Sequence, residues 1–208
     1  MFAHVTSASM SVSPEKAARA RELAAWLCTL ARHGGLEPSL IAVGLEPSAG
    51  PALARGHLTL TLASSLELTG KESFERALSQ APALRPCGLR LVISDFLFEA
   101  EPSAVAQRLA RGASGLALVQ VLDPEDLEPS GGTGARLTDA ESGEALERLL
   151  TQPVIDLYLQ RFRGHVALWQ QAAKRVQAQW FQVSAADEVD ALATHALAAL
   201  VDAAGGVP

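Results

Sequence analysis

Long uncharged apolar runs are missing from this 208-residue chain. The best two, 113–122 and 191–201, stop at Asp123 and Asp202, short of the roughly 18 residues a membrane helix needs. Basic charge is also scarce: 17 Lys and Arg stand against 23 Asp and Glu, giving a net charge of −6 and a pI near 5.4. That balance offers no electrostatic footprint for nucleic acid or an anionic membrane surface. With two cysteines, Cys28 and Cys87, the chain has no disulfide framework. They read as small core or near-surface thiols, which suits a reducing cytoplasm. Met1-Phe2-Ala3-His4 lacks the basic and long apolar regions of a signal peptide, so none is expected. Chemical signatures are missing too. The five histidines, His4, His33, His57, His165 and His195, keep no metal-ligand spacing, and neither H-E-x-x-H nor C-x-x-C occurs. Gly131-Gly132-Thr133-Gly134 has the spacing of neither a P-loop nor a dinucleotide fingerprint. Gly112-Ala113-Ser114-Gly115 precedes a strand, whereas a hydrolase nucleophile elbow follows one. Zinc, nucleotide-loop and serine-hydrolase chemistry are therefore not expected.

What is present is core-forming material. Hydrophobic residues make up 49% of the chain and charged residues 19%, enough for a single packed domain spanning 1–208. A short strand-like start over 1–6 leads through the small hydroxyl run Ser7-Ala8-Ser9-Met10-Ser11 to Ser13-Pro14-Glu15. There the serine reads as an N-cap and the proline as the first helical residue. Helical spacing runs to Arg32 and Gly34-Gly35 ends it. A strand is expected at 40–45 and a Pro/Gly-rich connection at 46–56. The alternating Leu58-Thr59-Leu60-Thr61-Leu62 predicts a half-buried edge or antiparallel strand. Further helices are expected at 71–81, 102–111, 154–179 and 188–204, with buried strands at 89–93 and 116–122 and another at 180–184. The acidic stretch 123–128 reads as a solvated connection, and 135–150, centred on Ser142-Gly143, as a small hairpin insertion. The aromatic residues Trp26, Tyr158, Phe162, Trp169 and Trp180 read as core. Strand and helix alternate throughout, so the expected fold is α/β: a three-layer, doubly wound, mostly parallel sheet with one antiparallel edge strand.

In such a sheet ligands bind beyond the carboxyl ends of the strands where strand order reverses. With the common 3-2-1-4-5-6 order, the first strand and 89–93 lie side by side and their exit loops bring Ser7, Ser9 and Asp95 together. Two hydroxyls and a carboxylate suit a hard cation such as magnesium. The serines equally suit turn and helix capping, and an acid at the sheet edge either binds something or caps backbone. Beyond Asp95, Phe96 and Phe98 read either as a partner-facing apolar rim or as packing beneath the next helix.

The chain resembles a von Willebrand factor A-type domain. The residues that carry the resemblance are Thr6-Ser7-Ala8-Ser9-Met10 with Pro14-Glu15-Lys16, Leu91-Val92-Ile93-Ser94-Asp95-Phe96, Val121-Leu122-Asp123-Pro124-Glu125-Asp126-Leu127-Glu128-Pro129, and Leu137-Thr138-Asp139-Ala140-Glu141-Ser142-Gly143-Glu144. They resemble most the fifty-eighth domain-of-unknown-function family, bacterial proteins often encoded beside MoxR-type AAA ATPases, and the similarity covers nearly the whole chain. The resemblance implies a metal-ion-dependent adhesion site with Ser7, Ser9 and Asp95 as ligands for magnesium or manganese. The sequence departs from that pattern where Val5 stands for the first aspartate, and a later threonine falls at Thr69 or is replaced by Glu72. A site with one carboxylate fewer implies weak metal binding, or a water-filled or partner-completed site. The resemblance also implies residues upstream of the first strand.

The expected function is a non-enzymatic, cytoplasmic protein-interaction module, an adaptor or client-recognition partner of a MoxR-type AAA ATPase. It would dock at the carboxyl edge of the sheet through Ser7, Ser9, Asp95, Phe96 and Phe98. The alternatives are a small-molecule enzyme of the doubly wound class using an Asp95 cleft, and a metal-free scaffold with a relic site.

Overall fold

The computed structural model describes residues 2–5, 10, 13–42, 52–55, 58–66, 74, 78–79, 84, 86–129, 136–138, 145–147 and 151–203. Its main sheet has six strands: β1 (Phe2–Val5), β2 (Ser39–Ala42), β3 (Ala52–Arg55), β4 (Leu89–Ser94), β5 (Gly115–Leu122) and β8 (Gln179–Ser184). They lie in the order β3-β2-β1-β4-β5-β8, parallel except for the β2–β3 pair. The order reverses between β1 and β4, which are direct neighbours as expected. The separate hairpin is β6 (Arg136–Thr138) paired antiparallel with β7 (Ala145–Glu147).

The near-continuous apolar character of β5 follows from cover on both faces. Ala117, Val119 and Val121 enter one core, and Leu116 and Leu118 enter the other. The first core is filled by α1 (Pro14–His33), whose Ala17, Ala20, Ala24, Leu27, Cys28 and Ala31 recur at helical spacing on one buried face. It also takes residues of α2 (Leu58–Ser65), α6 (Val189–Thr194) and α7 (Ala198–Ala203). The second core is aromatic. Phe74, Phe96, Phe98 and Trp169 pack there beside α3 (Pro102–Ala110) and α5 (Gln152–Arg175), giving the expected three layers.

Several element boundaries differ from those expected. Residues 58–62 are helical, because Thr59 and Ala63, one turn apart, are fully buried while Leu58 is 54% exposed. The Leu/Thr alternation thus has nothing to do with a sheet face, and the Thr59 side chain instead bonds the Cys28 thiol. The antiparallel edge strand is β3, inside the segment expected to be a connection. The acidic stretch after β5 is partly structured, since Pro124–Leu127 form a helical turn, α4. The long helix ends at Arg175, and Gln177 at φ 57° turns the chain into β8. The last helix is broken at His195 into α6 and α7. Within 71–81, Phe74, Leu78 and Ser79 are helical and the rest lies outside the described residues. The α1 terminus behaves as expected, with Gly35 at φ 72° and the Leu36 N–H returning to Ala31 O at 2.8 Å.

Candidate functional site

The parallel register sets Val5 opposite Ile93, so the exits of β1 and β4 adjoin. Ser7, Ser9, Thr69 and Glu72 lie outside the described residues. Asp95 follows β4 directly and is 0% exposed. Its Oδ1 accepts the Leu97 N–H at 3.2 Å, its backbone carbonyl accepts Gln120 Nε2 at 2.8 Å, and its Oδ2 lies 3.7 Å from Lys16 Nζ. Lys16 is 3% exposed, and its ammonium also meets Asp126 Oδ2 at 2.7 Å. The centre of the site is therefore a buried lysine between two carboxylates.

Local sequence explains how these groups arrive. Ser13 caps α1 by accepting the Lys16 N–H at 3.2 Å, and with Pro14 in the first turn Lys16 becomes the third helical residue. A cation there opposes the helix macrodipole, and burial removes its hydration, so nearby carboxylates have to compensate. Asp126 is delivered by α4 through a capping box: Asp123 Oδ1 accepts the Glu125 N–H at 3.0 Å and Asp126 Oδ2 accepts the Asp123 N–H at 2.9 Å. The two helix starts are tied together where the Ser13 hydroxyl donates to Asp123 Oδ2 at 2.5 Å. Burial opposes ionisation of Asp123 most strongly, but the Ser13 hydroxyl, the Glu125 N–H and Lys16 together outweigh it and lower its pKa. From α5, the Tyr158 hydroxyl donates to Asp126 O at 3.0 Å. Although Tyr158 is 38% exposed overall, desolvation of the hydroxyl, with the Asp126 and Asp95 charges nearby, pushes its pKa up to about 12.

Phe96 and Phe98 do not form a surface rim. They are 0% and 3% exposed and pack with Phe74, Trp169 and Trp180. Phe96 takes φ 55°, and its carbonyl lies 2.6 Å from His165 Nε2, which donates in the Nε2–H tautomer. The turn after β4 points its aromatic rings inward because five large rings share that core, which a count of apolar residues along one segment does not reveal. Exposed apolar surface lies elsewhere. Leu127 on α4 and Val154, Leu157 and Tyr158 at the start of α5 are 36–47% exposed beside the charge cluster. Tyr158, read as core, is thus at the surface with its ring stacked on Phe162.

The acidic stretch 123–128, read as a solvated connection, supplies Asp123 and Asp126 to the site. Lys16 enters the sequence reading only through the Pro14-Glu15-Lys16 resemblance, with no role at the site. Its signal was a lysine at the third helical position, where an acid is favoured. An open cleft of about 670 Å³ lies at the opposite end of the sheet, between the last turns of α3 and α5, lined by Arg111, Lys174 and Arg175 among others. It touches none of the expected site residues.

The described residues do not suit a divalent metal. The Asp95 oxygen that would bind it faces an ammonium, Val5 has no side-chain oxygen, and no metal-sized group of His, Cys, Asp or Glu occurs among the described residues. No helix among them is long and apolar enough to cross a membrane.

No family model matches the sequence, and no curated protein matches it. Solved structures do. BatB of Bacteroides thetaiotaomicron, a conserved hypothetical protein, aligns at 14% identity and TM-score 0.52 over 97% of both chains. An aerotolerance-related membrane protein of Bacteroides fragilis, solved with multiple mutations to serine, aligns at 14% identity and TM-score 0.52 over 94% of both. At that identity the likeness is one of fold, and with the strand order it gives this chain a doubly wound von Willebrand factor A/Rossmann-like fold.

Proposed function

We propose that this chain is a non-enzymatic protein-interaction module that docks a partner at the carboxyl end of its sheet. The observation that carries the reading is the exposed apolar strip of Leu127, Val154, Leu157 and Tyr158, set against the sheet end where strand order reverses. Asp95 supports the same reading, because a fully buried carboxylate paired with lysine offers no reactive surface to a small substrate. Within the resemblance to the fifty-eighth domain-of-unknown-function family, the partner is a MoxR-type AAA ATPase and the compartment the cytoplasm. The metal-ion-dependent adhesion site is degenerate on this reading, because Val5 stands where that pattern has its first aspartate. The fold likeness to BatB and to the aerotolerance-related protein agrees with a von Willebrand factor A-like module.

Co-purification with a MoxR-type AAA ATPase from the same organism tests the reading. Wild-type protein is expected to capture it, and Leu157→Glu, an exposed substitution that leaves the core intact, to lose at least tenfold in affinity. Absence of capture by wild type, or equal capture by Leu157→Glu and Val154→Glu, overturns it.

A further inference from the structure

We infer that the Lys16 ammonium takes the place of a divalent cation at the carboxyl end of this sheet, so that the chain carries its own cation and needs no metal there. The inference does not depend on which partner docks. Lys16 stands at the third position of α1, is 3% exposed, and has carboxylate oxygens of Asp126 and Asp95 at 2.7 and 3.7 Å. Any divalent ion bound directly to Asp95 Oδ2, with a bond of about 2.1 Å, would lie within about 6 Å of the ammonium nitrogen. Two cations that close, beside a fully buried carboxylate, repel strongly. Among the described residues the position also lacks the ligands a second cation would need. Val5 offers no side-chain oxygen, and Asp95 Oδ1 already accepts the Leu97 N–H.

The placement is otherwise hard to account for. A buried lysine loses hydration, and at a helix start it also meets the positive end of the dipole. Both penalties are met by carboxylates supplied from β4 and α4, each fixed by backbone N–H groups. A neutral side chain at position 16 would take the Lys16 charge from between Asp95 and Asp126. The Lys16 chain therefore does what a bound cation would do: it joins the exit of β4 to the first turns of α1 and α4.

The test is metal-dependent thermal unfolding and calorimetry on the full chain with manganese. Wild type and Lys16→Arg, which both keep a cation, are expected to show no manganese binding at millimolar metal and no change in Tm. Lys16→Ser opens the space and frees the carboxylates. It is expected to melt lower than wild type and to regain several degrees with manganese, a response lost in Lys16→Ser/Asp126→Asn. If Lys16→Ser is unfolded without metal, folding on addition of manganese is the same positive result. Manganese binding by wild type or Lys16→Arg overturns the inference, and so does a Lys16→Ser protein that manganese neither stabilises nor folds.

Discussion

Two buried cations sit near opposite ends of β4, and they are held in different ways. At the carboxyl end Lys16 meets the carboxylates of Asp95 and Asp126. At the amino end Arg90, 4% exposed, donates through Nη1 to the carbonyls of Leu109 at 2.5 Å and Arg111 at 2.9 Å. Those carbonyls belong to the last turn and C-cap of α3, which have no helical N–H to accept. Arg90 is a stitch between a strand and a helix end: the partners described for it are neutral carbonyls, and burial lowers its pKa. Lys16 is a counter-charge whose described partners are carboxylates. The difference separates a cation that holds structure from one that defines a site.

The largest expected effect tests Lys16. Lys16→Met removes the ammonium beside the fully buried Asp95, and urea unfolding is expected to give a loss of about 3–5 kcal/mol. A loss below about 1 kcal/mol would reduce the cluster to the level of a surface ion pair. Arg90→Met leaves two carbonyls unsatisfied and should cost about 2 kcal/mol, with the same pH dependence as wild type. An altered acid limb in that variant would blur the distinction between the two cations. Ser13→Ala removes both the α1 cap and the tie to Asp123, for a loss of about 1 kcal/mol.

Two smaller effects are set by pH. The pKa of Asp123 is lowered in the folded chain, so the stability it contributes is present above its ordinary value of 3.8 and is lost as pH falls through the folded value. Asp123→Asn should flatten the acid limb of a stability profile, and an unchanged limb would remove Asp123 from the account. Tyr158 is the chain's single tyrosine, so its ionisation can be followed by ultraviolet absorbance without interference. Its pKa is raised from 10.0 to about 12, so its contribution to stability is complete below pH 10 and is lost as pH rises toward 12. A pH-jump titration of folded protein should give a midpoint near 12, falling in Asp126→Asn. A midpoint at 10 in both would mean that Tyr158 does not sense the cluster.

Much of the fold could be read along the chain because it rests on local signals. Ser13-Pro14 marked the start of α1, and Leu91-Val92-Ile93 and 116–122 showed the continuous apolar runs of strands covered on both sides. Residues 58–62 misled because two-residue alternation arose from composition, while the face that packs is set by Thr59 and Ala63 against α1. Of the candidate site, Asp95 was legible from its place after a buried strand. Its partner was not, because Lys16 and Asp126 are 110 residues apart and meet only when α1 and α4 both start at the same end of the sheet. Local sequence leaves Phe96 and Phe98 open between rim and packing for a related reason, since their direction depends on Trp169 and Trp180 from later elements, which decide for packing and against the docking role.

The sequence by itself determined the alternation of strands and helices, the caps, the shortness of its uncharged apolar runs and the acid after β4, all set by neighbours within a turn or a strand. The tertiary structure alone decided which charges face one another. A lysine's position along the chain says nothing of its counter-ions until packing removes the water that would otherwise solvate it.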